Sequence, residues 1–137
     1  MVLGASMLAV AGCGQNSGCV HTALELRSLP LASQNAPITL YARLTSDGDP
    51  LAAFRLSFFL TFTGPTKLVG KSGKTGDLVG YATTGDDGVA NFRLPSGPAA
   101  EGLPGETAIG YMVSLTTANP INGKQYCDVH TDAQFTQ

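Results

Sequence analysis

The chain contains no tryptophan, and charged residues make up only 13% of its 137 positions, about half the usual share. Its 8 basic and 10 acidic residues leave a formal charge of −2. Neither sign is gathered into a block along the sequence. A run of Lys and Arg able to displace counterions is therefore missing, which argues against nucleic acid or an anionic membrane surface as the main partner. No apolar run reaches the roughly 20 residues of a membrane-spanning helix, and no segment sustains a helical period. Without tryptophan, an aromatic platform for sugars would have to be built from Tyr41, Phe59, Tyr81, Tyr111 and Tyr126. What remains is a neutral, hydroxyl-rich chain, long enough for one domain with one core.

The N-terminus points to a compartment. Residues 1 to 12, MVLGASMLAVAG, carry no charge and lead into Cys13. The run suits the apolar core of a signal peptide, although no Lys or Arg precedes it. Val10, Ala11, Gly12 and Cys13 resemble the lipobox of bacterial lipoproteins. That resemblance implies lipid on Cys13, a tether over residues 13–18, and a folded domain over residues 19–137 in an extracytoplasmic, membrane-anchored setting.

The chain has three cysteines. With Cys13 assigned to lipid, Cys19 and Cys127 remain as a pair expected to form a disulfide between the first and last strands. A competing zinc reading adds His21 and His130 to the same two cysteines. Its spacing is poor, because on a strand Cys127 and His130 point to opposite faces. The letters of a nucleophilic triad in Cys127, Asp128 and His130 fail on the same geometry.

Period-two alternation is the strongest pattern. Phe54, Leu56, Phe58, Leu60 and Phe62 share one parity, and Arg55, Ser57, Thr61 and Thr63 the other, with Phe59 an apolar residue on the outward side. Ile38, Leu40, Ala42 and Leu44 read as a second inward set; Ala90, Phe92 and Leu94 as a third; Ile109, Tyr111, Val113 and Leu115 as a fourth; Cys127, Val129, Thr131, Ala133 and Phe135 as a fifth. Turn signals such as SDGDP, GDDG and NPINGK separate them. The pattern predicts an all-β sandwich of about seven strands. Two longer Gly-rich connections, Thr63 to Asp77 and Pro95 to Glu106, are the expected ligand-facing parts.

Asp47, Gly48, Asp49 and Pro50 before one alternating strand, and Thr84, Asp86, Gly88, Ala90 and Phe92 at the start of another, resemble turns of bacterial immunoglobulin-like domains of the intimin and invasin kind. Transthyretin-like regulatory sandwiches share the second motif. The resemblance runs from about residue 36 to residue 137. It implies an immunoglobulin-like β-sandwich acting as a spacer, adhesive or accessory module that meets an envelope or surface protein or polysaccharide. It transfers no catalytic residue and no cofactor, and a carbohydrate-binding sandwich or a transthyretin-like regulatory module is the alternative.

Other candidates are weaker. Asp86 and Asp87 are adjacent on a turn and diverge, which suits backbone capping better than acid–base chemistry. Asp47, Asp49, Asp86 and Asp87 could hold calcium only if their two turns met, and no D-x-D-x-D-G loop is present. GKSGKT at residues 70–75 lacks the first glycine of a phosphate loop.

Overall fold

A computed structural model describes residues 18–63 and 76–136. Cys13, the apolar leader, most of the tether and the GKSGKT segment lie outside them. The described residues form β1 (Ala23–Leu26), β2 (Leu29–Pro30), β3 (Ile38–Ser46), β4 (Asp49–Pro50), β5 (Arg55–Thr63), β6 (Gly76–Thr83), β7 (Val89–Leu94), β8 (Thr107–Leu115) and β9 (Val129–Thr136). Seven of these strands have four or more residues, and two have only two. One short 3-10 turn, Pro98–Glu101, precedes β8.

Two sheets pack face to face. In the first, β3 pairs with β1 on one side and with β7 and β4 on the other, all antiparallel. The second runs β2-β9-β8-β5-β6, with β2 parallel to β9 and the rest antiparallel. The chain thus changes sheet between β1 and β2, over Arg27 and Ser28.

The alternating residues fill the space between the sheets. Leu40, Ala42, Leu44, Leu56, Phe58, Leu60, Tyr111 and Val113 are fully buried. Each large apolar side chain hidden this way contributes about 1.5 to 3 kcal/mol. The inward parity of β3, β5 and β7 is as the sequence predicts. In β8 it fails at one place. The β5–β8 register jumps from Thr61↔Gly110 to Phe62↔Ala108, so Ile109 is the extra residue of a bulge and points out while Ala108 turns in.

Two connections are tighter than their composition suggests. Asp47 (φ 51°) and Gly48 (φ 86°) form the two-residue hairpin turn between β3 and β4, where both centres need left-handed backbone. The Pro95 to Glu106 connection, expected to face a ligand, is packed down instead. Pro98 is buried, and Ala99 N–H donates to Gln34 O at 2.9 Å. The Gln34 amide brackets Ala108, donating to its carbonyl at 3.0 Å and accepting from its N–H at 2.8 Å.

Candidate functional site

The GDDG turn joins β6 to β7. Asp87 Oδ1 accepts the Val89 N–H at 3.0 Å, and Gly88 holds φ 78° with Leu44 O only 2.5 Å from where a Cβ would sit. Asp87 therefore shapes the turn, and Gly88 lets the turn close against β3. Replacing Asp87 with alanine should lower stability by about 1 kcal/mol in urea unfolding, with or without added calcium. A loss that appears only in calcium would contradict this assignment.

The β3–β4 turn and the β6–β7 turn lie at the same end of the sandwich: Leu44 N–H donates to Gly88 O at 2.8 Å, and the missing Gly88 Cβ would approach Pro50. Asp47, Asp49, Asp86 and Asp87 are all exposed there. Proximity of the turns does not make their carboxylates converge. Among the described residues no group of three or more His, Cys, Asp or Glu side chains is placed to hold a metal.

Cys19 and Cys127 are joined, with Cα atoms 5.1 Å apart. That bond removes both thiols from the zinc set and the nucleophile from the triad. Asp128 Oδ1 accepts the Thr117 N–H at 2.9 Å, and His21 and His130 are solvent-exposed. The disulfide end is further tied by Val20 N–H to Gln125 O (2.7 Å) and Cys127 N–H to Val20 O (2.9 Å).

A groove of about 210 Å³ opens where the β5–β8 ladder stops at Ser57↔Ser114. Buried Phe54 and Leu115 and half-buried Ile121 line it together with exposed Thr116 and Asn119. It is smaller than the roughly 300 to 1,000 Å³ of ordinary ligand pockets. Its one cation, Arg55, leans the other way, with its guanidinium 4.5 Å from the centre of the Tyr81 ring on β6.

The tyrosines do not form a platform. Tyr41 and Tyr81 lie on different sheets, Tyr111 is fully buried, and Tyr126 packs edge-on against Phe54 at 5.0 Å. No protein-family model matches this chain, and no curated protein matches it.

One face stands apart from the rest of the surface. Among the described residues the exposed large hydrophobics are Leu78 (49%), Tyr81 (48%) and Ile109 (41%), all on the outer side of the five-stranded sheet. Leu78, Phe59 and Met112 are register partners across β6, β5 and β8, so half-buried Phe59 and Met112 continue the patch from Leu78. Sequence reading identified Phe59 on this face. It missed Leu78 and Ile109, because each sits beside a register shift that moves it relative to its neighbours.

Proposed function

We propose that this chain is a non-catalytic, immunoglobulin-like module of an extracytoplasmic compartment, held to a bacterial membrane by lipid on Cys13, that binds or spaces a second envelope macromolecule. The observation that carries this reading is the Cys19–Cys127 disulfide, which ties the start of the domain to the approach to its last strand and belongs to an oxidising compartment. The strand order supports the immunoglobulin comparison. With A divided between β1 and β2, the first sheet reads A, B, E and the second A, G, F, C, C′. The apolar patch around Leu78, Tyr81 and Ile109 supports a binding role, since contiguous exposed apolar surface marks interaction sites.

Intact mass spectrometry of the protein expressed in a bacterial host tests the reading. The expected product begins at Cys13, carries added acyl mass, and gains two hydrogens on reduction. An unprocessed chain with three free thiols would overturn both the anchor and the compartment.

A further inference from the structure

Three of the chain's four arginines, Arg27, Arg43 and Arg93, are scattered in sequence but share the outer face of the β1–β3–β7 sheet. The register explains how. Thr39 lies opposite Arg93, Tyr41 opposite Asn91, and Arg43 opposite both Glu25 and Val89. The Arg27 guanidinium lies 3.8 Å from the centre of the Tyr41 ring. With strands about 4.8 Å apart and same-face residues about 7 Å apart along each strand, the three cations occupy one patch. Arg43 Nε donates to Asp87 O at 3.3 Å and Arg93 to Thr39 Oγ1 at 3.4 Å, and neither of these contacts is to a carboxylate. Two acids adjoin the patch at Arg43: Glu25 opposite it in the register, and exposed Asp87, whose carbonyl it contacts.

Although no basic run along the sequence points to one, the register gathers these cations, and we infer that this face docks on an anionic lipid surface, through Arg27 and Arg93 above all; the choice of a membrane over other polyanions rests on the lipid-anchored reading above. The tether supplies the second argument. It enters at Gly18 and feeds β1, an edge strand of this same sheet, and residues 13–18 extend at most about 20 Å. Ala23 pairs with Thr45 at the end where the β3–β4 turn lies, whereas Arg27 and Arg93 sit toward the opposite end, near Tyr41 and Thr39. The exposed acids Asp47, Asp49, Asp86 and Asp87 cluster at the tether's end and repel an anionic surface. Attraction is thereby concentrated at Arg27 and Arg93, and two separated attachments lay the sheet along the bilayer. The outer face of the five-stranded sheet, with Leu78, Tyr81 and Ile109, is then turned outward toward a partner.

Vesicle partitioning tests this with the full-length Cys13→Ser chain, which has no lipid of its own. It should bind phosphatidylcholine vesicles containing about a third phosphatidylglycerol at low salt, and lose that binding in pure phosphatidylcholine or at high salt. Each arginine near the surface is worth roughly five-fold, so Arg93→Gln should weaken partitioning about five-fold and Arg27→Gln with Arg93→Gln about 25-fold. Arg93 makes only one long hydrogen bond, so its single variant remains informative if the double variant folds poorly. Arg55→Gln, on the opposite sheet, should change nothing. Equal binding to both vesicle types, or an Arg55→Gln loss as large as that of the double variant, would overturn the inference. Tighter retention on a soluble sulfated polysaccharide at equal charge would also overturn it and assign the face to a glycan. Because the Cys13→Ser chain is never lipidated, this result is independent of the mass measurement that tests the anchor.

Discussion

Replacing Cys19 and Cys127 together by alanine lowers the unfolding free energy by about 4 to 5 kcal/mol. The bridge spans a sequence separation of 108 residues, so nearly the whole described domain lies inside the loop that it closes. In the chain-entropy account, the cost of leaving that loop open falls on the unfolded state and grows with the logarithm of loop length. Alanine avoids placing a hydroxyl at buried Cys127. Domains of this size are stable by only about 5 to 15 kcal/mol, so the loss is about a quarter or more of the total. Urea unfolding of the paired variant, and of the native chain with and without reductant, measures it. Identical midpoints would mean that the bridge adds nothing, and the oxidising-compartment reading would lose its main support. A large loss links fold to location: the module is fully stable only where its thiols are oxidised.

Tyr111→Phe is expected to cost about 2 to 3 kcal/mol. Tyr111 is fully buried on β8, and its hydroxyl crosses the sandwich to the first sheet. The oxygen lies 2.8 Å from Tyr41 O and 2.9 Å from Arg27 O, so its single proton serves these two carbonyls, and it accepts the Arg27 N–H at 3.3 Å. Arg27 is where the chain leaves the first sheet for the second. The phenol therefore satisfies backbone groups at a place where neither sheet can do so by pairing alone. Phenylalanine keeps the ring and its stacking on Phe135 at 6.0 Å, and removes only the hydroxyl.

The same residue carries a pH dependence. Burial raises the Tyr111 pKa above its ordinary 10.0, an effect larger than the opposing hydrogen bond that the phenol oxygen accepts from the Arg27 N–H. For an acid whose folded pKa is raised, the folded state holds its proton where the unfolded state has lost it. Stability from this group is complete below pH 10.0 and falls as pH climbs from there toward the raised value. The native chain should lose stability through that window more steeply than Tyr111→Phe. Parallel curves for the two proteins would remove Tyr111 as the cause.

The sequence itself determined the class of fold. Period-two alternation places Leu40, Leu44, Leu56, Phe58 and Leu60 on inward faces whatever the strands pair with, because successive side chains on any strand point to opposite sides. The same local logic identified Gly88 and Asp87 as turn residues, and assigning Cys13 to lipid on its lipobox resemblance left Cys19 and Cys127 as the expected pair. Three things needed the tertiary structure. Bulges at Phe58/Phe59 and Thr61/Phe62 depend on how two strands register, and the second of them turned Ile109 outward. The Pro95 to Glu106 connection reads as loose by composition, yet it is fixed by Gln34, which is distant in sequence. Arg27, Arg43 and Arg93 look dispersed along the chain, and only lateral pairing across β1, β3 and β7 collects them. A strand's own pattern sets which side each residue faces, but the neighbours on that side belong to other strands. Surfaces assembled across a sheet are therefore decided by register, which no single stretch of sequence contains.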